Sequence, residues 1–99
     1  MEVATTRNGT NAVLALAGDI DVETAPKLDA AFAAVFEEGA RNIAVDVSGV
    51  FFLGSAGLAV LIGAQRSAAT FELQAGNRIV DRLIELTGLQ LLYGHSDPT

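Results

Sequence analysis

The apolar residues of this chain follow two kinds of pattern. Nearly continuous apolar runs of strand length occupy residues 11–17 and 43–47. Elsewhere, apolar positions recur at intervals of three and four, across residues 28–36 and again across residues 58–65. The first pattern predicts buried strands, and the second predicts helices with one buried face. Strands that alternate with helices indicate a sheet with parallel crossover connections.

The chain opens with the pattern of a β-hairpin. Residues 2–5 are predicted to form an edge strand, and Asn8-Gly9 is a pair that favours the tight turn of a hairpin. The returning strand at residues 11–17 is largely apolar, which predicts a central position in the sheet. Gly18 is predicted to end this strand.

The middle of the chain predicts a strand, a turn and a helix in close succession. The strand at residues 43–47 runs into a predicted turn at residues 46–49, and a short apolar run follows at residues 50–53. The sequence GSAG at residues 54–57 interrupts the apolar run. From Leu58 onward the spacing of apolar residues becomes helical.

The last third of the chain predicts a short strand, a third helix and a final strand. The short strand is expected at residues 70–74, and Asn77 is expected to cap the helix that Gly88 ends. The final strand is expected at residues 89–93. The helical spacing predicts a buried face made of Ile79, Leu83 and Leu86, with Val80, Ile84 and Thr87 alongside.

Together these patterns predict the element order ββαβαβαβ. The fold class is α/β, with a mixed β-sheet that a hairpin opens and with helices packed on the sheet. Residues 1–93 are predicted to form a single domain, and residues 94–99 are a polar tail predicted to fray. Phe51, Phe52 and Phe71 are predicted to belong to the core.

Composition and charge restrict the function. The chain has 99 residues, a formal net charge of −6 and only six basic residues, which are scattered. The scatter argues against a nucleic-acid surface and against a polybasic membrane patch. The chain contains no cysteine, and its single histidine is His95 in the tail, so a zinc site of His and Cys ligands is excluded. A cytoplasmic protein is predicted, since no apolar segment resembles a signal peptide or is long enough to span a bilayer. No cofactor is predicted.

Ser55 is the candidate for chemistry in the GSAG segment. Its position predicts the N-cap of the second long helix, where its hydroxyl would accept a backbone N–H. It does not lie in a Gly-x-Ser-x-Gly elbow, and His95 is far along the chain. Capping is therefore favoured over nucleophilic catalysis, and the chain is predicted not to be an enzyme.

The acidic segment before the first long helix is a second candidate site. Asp19, Asp21 and Glu23 lack the ligand spacing of a calcium-binding EF-hand loop, so a solvated loop is favoured over a cation site. Thr24 is predicted to cap the helix, with Pro26 in the first turn. Binding of a small ligand in a pocket beside this acidic loop is a further possibility that the residues leave open.

Three segments of the chain together resemble the STAS domain family, in particular its single-domain anti-sigma factor antagonists. Residues 18–25, GDIDVETA, are similar to the family's Gly-Glu-Leu-Asp…Thr-Ala loop. Residues 46–58 are similar to its Asp-Leu-Ser-Gly-Val…Asp-Ser-Ser-Gly-Leu segment, and residues 86–89 match its Leu-Thr-Gly-Leu. The order and spacing agree, and the resemblance covers nearly the whole chain.

The resemblance implies regulation by partner switching. An antagonist of this family binds a protein that is both a serine kinase and an anti-sigma factor, and this binding frees the sigma factor. The kinase then phosphorylates the antagonist, which dissociates, and a phosphatase resets it. The partner-binding residues implied here are Asp19, Asp21, Thr24, Gly54, Ser55, Ala56, Gly57 and Leu58.

The chain departs from the family pattern at the phosphorylated position. The usual acceptor precedes Gly-Leu, where this chain has Ala56, and the usual aspartate is replaced by Gly54. Three interpretations follow: an antagonist that is never switched, a displaced acceptor at Ser55, or another STAS branch. That branch, which has a Ser-Ala-Gly-Leu run, includes the small subunit that docks on the ATPase of lipid-transporting ABC transporters, and it is the alternative function.

Overall fold

The computed structural model describes residues 1–74 and 76–93 of the chain. No helix within these residues has the length and apolar character needed to cross a membrane. The elements in this part of the chain are β1 (Glu2–Asn8), β2 (Asn11–Ile20), α1 (Ala25–Glu37), β3 (Asn42–Leu53), α2 (Ser55–Ser67), β4 (Thr70–Leu73), α3 (Arg78–Thr87) and a 3-10 turn (Gln90–Tyr93).

The strands form one sheet in the order β1-β2-β3-β4. The hairpin strands β1 and β2 are antiparallel, whereas β2 pairs with β3 and β3 with β4 in parallel. Gly9 has the positive φ of 60° that the hairpin turn needs, and Asn8 pairs with Asn11 across it. The predicted mixed sheet that a hairpin opens is confirmed, although β2 continues past Gly18 to Ile20.

The core lies between one face of the sheet and the helices. Buried side chains alternate along the central strands, as period-two packing requires. The molecule measures 34 × 31 × 19 Å, and its short dimension suits one sheet and one helical layer. The sheet and the two longer helices contribute the buried residues Leu14, Leu16, Val45, Val47, Leu28, Phe32, Leu61 and Ala64.

The predicted turn at residues 46–49 is wrong, because β3 runs without interruption from Asn42 to Leu53. The local chemistry that suggested a turn is nevertheless present. The Ser48 N–H donates to Asp46 Oδ1 at 2.9 Å, and this hydrogen bond lowers the pKa of Asp46. A hydrogen bond from a backbone N–H to the side chain two residues earlier is typical of turns. Here the same hydrogen bond occurs within an irregular strand.

The irregularity is a bulge in the pairing of β3 with β2. Ala15 pairs with Asp46, whereas Ala17 pairs with Gly49, so β3 contains one extra residue between the two pairs. A Cβ atom at Gly49 would lie 3.0 Å from Ala17 Cβ. The bulge thus brings the two strands so close that only glycine fits without a shift.

The predicted final strand at residues 89–93 is also wrong. Gln90–Tyr93 is a 3-10 turn, in which Leu92 is buried against the core. The Tyr93 hydroxyl donates to Asp81 Oδ1 at 2.7 Å. Burial is the main cause that raises the pKa of Tyr93 to about 12, and the hydrogen bond to Asp81 is the second. The segment is fixed to α3 by a side chain and not to the sheet by backbone pairing. The predicted tail at residues 94–99 lies outside the described residues.

Helix α3 faces the core differently from the prediction. Its start is as expected, because Asn77 Oδ1 accepts the N–H groups of Ile79 and Val80. The buried residues are Val80 and Ile84, whereas Ile79 is 51% exposed and Leu86 is 71% exposed. The helix has two neighbouring apolar stripes, and periodicity alone does not determine which of them contacts the sheet.

Two of the three phenylalanines predicted in the core lie outside it. Phe71 is buried on β4, but Phe51 is 72% exposed and Phe52 is 51% exposed. Both exposed rings follow the buried Val50, near the carboxyl end of β3. This end of the strand projects beyond β4, which pairs only with residues 42–45 of β3.

Candidate functional site

Two surface segments meet at the carboxyl ends of β2 and β3. The strands are parallel, so the chain leaves both at the same edge of the sheet, with Ile20 paired to Leu53. The Gly54 N–H donates to the Ile20 carbonyl at 2.8 Å, just after this pair. Residues 19–24 and residues 54–56 therefore lie side by side at the surface, whereas the predicted partner-binding residues Gly57 and Leu58 are buried beneath them.

Asp21 organises the turn that leads into α1. Its Oδ1 accepts the backbone N–H groups of Glu23 and Thr24, each at 3.0 Å. The hydrogen bond from the Thr24 backbone is the main cause that lowers the pKa of Asp21, and slight burial opposes it. Asp21 thus stays ionised and holds the turn, while Asp19 and Glu23 are exposed beside it.

The predicted capping role of Thr24 is only half right. Thr24 occupies the N-cap position of α1, with Pro26 in the first turn, but its side chain makes no capping hydrogen bond. The hydroxyl instead accepts the Asp21 N–H at 2.9 Å and donates to the Asp19 carbonyl at 3.2 Å. Thr24 therefore fixes the preceding loop and not the helix.

The predicted capping role of Ser55 is wrong. Gly54 is the N-cap of α2, with φ −85° and ψ 174°, and Ser55 is the first helical residue. The Ser55 side chain makes no capping hydrogen bond, and the residue is exposed. The neighbouring Ala56 is half-buried and has no hydroxyl. Among residues 54–58, Ser55 is thus the one hydroxyl at the helix start.

Gly57 holds the start of α2 against the acidic loop. A Cβ atom at Gly57 would overlap Ile20 Cγ2 and lie 2.9 Å from Leu53 Cδ1. Leu58, the next residue, is buried in the core. The close approach of α2 to the ends of β2 and β3 therefore depends on a residue without a side chain.

A shallow groove of about 500 Å³ runs between α1 and α2 beside these loops. Small residues on α2 leave room for it, and exposed apolar atoms border it; Val22, for example, is 75% exposed. Sequence analysis left open a pocket beside the acidic loop but did not assign this groove, although small residues repeat along α2 at helical spacing. It is lined by Val22, Ala25, Pro26, Asp29, Ala56, Ala59, Val60 and Gly63.

The chemistry of this site is that of a binding surface. Its ingredients are an apolar groove, three carboxylates in the adjacent loop and one exposed hydroxyl at Ser55. Within residues 1–74 and 76–93, no group of three or more His, Cys, Asp or Glu side chains is arranged to hold a metal ion. Apolar centres bordered by charged residues are common in protein–protein interfaces.

The hydrogen bonds of Asp21 predict a pH effect on stability. The lowered pKa means that Asp21 stabilises the fold above its ordinary value of 3.8 and that this contribution is lost as pH falls through the folded-state value. The free energy of unfolding of the unaltered chain should therefore fall as the pH is lowered from about 5 to about 2. In Asp21→Asn this fall should be smaller. Urea unfolding across this range measures it. Asp29→Asn makes the same substitution at an exposed carboxylate on α1 and serves as the matched comparison.

Comparison with known proteins identifies the class of this fold. A family model described as "Mlab, STAS domain" matches residues 3–93. The chain belongs to the STAS domain family, as its three sequence segments predicted.

Two similar proteins are named as anti-sigma factor antagonists. The chain is 35% identical over 81 residues to the anti-sigma-F factor antagonist RsfB of Mycobacterium tuberculosis, covering 79% of this chain and 66% of RsfB. It is 32% identical over 78 residues to the anti-sigma-B factor antagonist of Staphylococcus aureus, covering 74% of this chain and 71% of that protein. The chain thus spans about two thirds of the length of RsfB.

A solved structure agrees with the fold. The crystal structure of an anti-sigma factor antagonist from Mycobacterium paratuberculosis has a TM-score of 0.80 to this chain and 30% sequence identity. The match covers 93% of this chain and 81% of that one. The predicted STAS-like α/β class is therefore confirmed.

Proposed function

We propose that this chain is a cytoplasmic anti-sigma factor antagonist, a regulatory binding protein and not an enzyme. In this proposal it binds a serine-kinase-type anti-sigma factor and thereby releases a sigma factor. The observation that carries the proposal is the Gly54–Ile20 hydrogen bond, which joins the acidic loop and the start of α2 into one surface. The names of the relatives support the class of partner.

The composition of the surface indicates how such a partner would be bound. An apolar side chain of the anti-sigma factor would fill the groove between α1 and α2, where small residues leave space. Basic side chains beside it would meet Asp19 and Glu23, which are exposed at the edge. A buried apolar anchor supplies most of the affinity in such interfaces, and the surrounding charges steer association.

Ala59→Arg tests the groove directly. Ala59 is exposed and lines the groove, so an arginine there should fill it without disturbing the core. We expect the affinity for the anti-sigma factor to fall at least about a hundredfold, a loss of roughly 2.8 kcal/mol, in isothermal titration calorimetry. Ala30→Arg, at an exposed position on α1 that does not line the groove, is the matched control. Equal affinities of the two variants would contradict the proposed interface.

Regulation by phosphorylation is proposed to use Ser55, because Ala56 occupies the usual acceptor position. A phosphate adds a charge of about −1.5 to −2 at neutral pH. At a helix N-terminus this charge is tolerated in the free protein. Within an interface, beside Asp19 and Asp21, it would be desolvated and repelled. Phosphorylation would therefore dissociate the complex, and a phosphatase would restore binding.

The effect of this charge can be measured with one substitution. Ser55→Glu should lower the affinity for the anti-sigma factor by about tenfold or more, whereas Ser55→Ala should leave it nearly unchanged. Ser67→Glu places the same charge at the opposite, exposed end of α2 and serves as the control. Calorimetry on the three variants measures the difference, and an unaltered affinity for Ser55→Glu would exclude Ser55 from the interface.

Phosphorylation itself requires a separate experiment. The chain is incubated with the kinase and ATP, and its intact mass is then measured. One added phosphate that disappears in Ser55→Ala supports the displaced acceptor. No added phosphate supports an antagonist that is never switched.

Docking on a transporter ATPase is the second candidate function. It is favoured by the description of the matching family model, which names Mlab, and by the Ser55-Ala56-Gly57-Leu58 run. A pull-down from the native cytoplasm, followed by mass spectrometry, separates the two candidates. A kinase-like anti-sigma factor among the retained proteins supports the first candidate, and a transporter ATPase supports the second. In either case the Ala59→Arg variant should lose the partner.

A further inference from the structure

The outer face of α3 has an apolar stripe that residues 1–74 and 76–93 leave exposed. Ile79 is 51% exposed, Leu86 is 71% exposed, and Leu83 between them is half-buried. These three residues lie at positions i, i+4 and i+7, so they share one side of the helix. Single exposed apolar residues are ordinary on a protein surface, but a stripe along a helix marks a contact surface.

Charged residues flank this stripe on one side of the helix. Arg78 and Arg82 lie in its first half, and Glu85 lies in its second half, all exposed. None of the three makes an ion pair with another described residue. On this flank the positive charges therefore lie toward the start of the helix and the negative charge toward its end, while the remaining carboxylate of α3, Asp81, accepts the Tyr93 hydroxyl.

This arrangement is complementary to itself. If two copies of α3 pack antiparallel, with a two-fold axis near Arg82 and Leu83, equivalent flanks of the two helices meet. Ile79 of one copy then packs at the level of the partner subunit's Leu86. Glu85 lies between the partner subunit's Arg78 and the partner subunit's Arg82. In this one arrangement apolar groups meet apolar groups and opposite charges meet each other. The two-fold axis makes each of these contacts occur twice.

We propose that the outer face of α3 is the interface of a two-fold symmetric homodimer. The helix has only ten residues, so the dimer is small and belongs to the weak end of the range of protein interfaces. The interface does not use the acidic loop or the groove between α1 and α2. Each dimer therefore presents two copies of the candidate functional site.

Charge-reversal variants of the full chain test this pairing. Sedimentation velocity at increasing concentration should give a monomer–dimer equilibrium for the unaltered chain. Glu85→Arg makes the flank wholly positive, and the double variant Arg78→Glu with Arg82→Glu makes it wholly negative. Each variant alone should dimerise at least about tenfold more weakly than the unaltered chain. An equimolar mixture of the two variants should form a heterodimer, because the opposite charges then face each other.

The controls make each outcome decisive. Circular dichroism establishes that the variants are folded, and Ala30→Arg should dimerise like the unaltered chain. A chain that remains monomeric at every concentration would overturn the proposal. Variants that dimerise undiminished, or a mixture that stays monomeric, would also overturn it. Loss of anti-sigma binding by Ala59→Arg is independent of these results, so the two proposals fail separately.

Discussion

Asn77→Asp is expected to destabilise the fold by about 2–4 kcal/mol, although it preserves the cap of α3. Asn77 uses both ends of its amide. Oδ1 accepts the N–H groups of Ile79 and Val80 at 2.9 and 3.3 Å, and Nδ2 donates to the carbonyls of Val47 and Val50 at 2.7 and 2.8 Å. An aspartate retains the first pair of hydrogen bonds and loses the second.

The cost arises at the two carbonyl groups of β3. Each unsatisfied, partly buried polar group costs about 1–3 kcal/mol, and a carboxylate facing two carbonyl oxygens adds repulsion. The favourable interaction of an acidic cap with the helix dipole offsets only about 0.3–1 kcal/mol of this loss. Asn77→Ala should also be destabilising, because it removes the cap, worth about 1 kcal/mol, together with both donors.

Thermal and urea unfolding measure this effect. For a domain of this size, each kcal/mol corresponds to about 4–8 °C in Tm, so Asn77→Asp should unfold at least about 8 °C lower. Asn8→Asp makes the same chemical change at an exposed hairpin position and should change stability by less than about 0.5 kcal/mol. If the two variants were equally stable, the two hydrogen bonds to β3 would be without energetic importance.

The position of Asn77 explains why this side chain matters so much. β4 pairs only with residues 42–45 of β3, and within the described part of the chain no other strand pairs with the rest of β3 on that side. The Asn77 amide supplies two of the donors that a longer β4 would provide, and it also starts α3. The same residue therefore ends the sheet and orients the last helix.

Local chemistry was enough to predict the cap at Asn77, the stop at Gly88 and the hairpin turn at Gly9. Each depends on a few neighbouring residues, and Gly88 has the φ of 72° that a helix end favours. The parallel order of strands followed from the alternation of strand and helix patterns.

Several of the predictions that failed depended on contacts between distant residues. Residues 89–93 have the composition of a strand, but their neighbours are α3 and the core, and Tyr93 bonds Asp81. The exposure of Phe52 and Leu86 could not be read from the sequence, because each belongs to a pattern that is equally apolar on two faces. The tertiary structure decides which face is covered.

Only part of the candidate site was predicted from the sequence. The resemblance to STAS proteins identified residues 19–24 and 54–58, and parallel strands bring their ends together. Ser55 was named as a candidate acceptor but was wrongly predicted to cap α2, and the groove between α1 and α2 was not assigned. A serine before a helix usually caps it, and a groove formed by small residues has no chemical signature. The groove exists because Ala59 and Gly63 leave space beside α1.

Gly57→Ala is expected to have the second large effect, on both stability and binding. In an ordinary helix, replacing glycine with alanine gains about 1 kcal/mol. At Gly57 the new methyl group would overlap Ile20 Cγ2 and crowd Leu53 Cδ1. Overpacking of this kind typically costs about 1–3 kcal/mol, so the balance should be destabilising. To relieve the overlap, the start of α2 must move away from Ile20, which separates the two halves of the candidate surface.

Gly63→Ala is the matched control for stability alone, because Gly63 lies on the same helix and a Cβ atom there meets nothing within 4 Å, whereas its place in the groove makes it unsuitable as a control for binding. It should stabilise the chain by about 0.5–1 kcal/mol, so the two alanine variants should differ in opposite directions from the unaltered chain. Urea unfolding measures the stabilities, and calorimetry with the anti-sigma factor should show about a tenfold loss of affinity for Gly57→Ala. If Gly57→Ala were as stable as Gly63→Ala and bound normally, the close contact of α2 with Ile20 would not control the site.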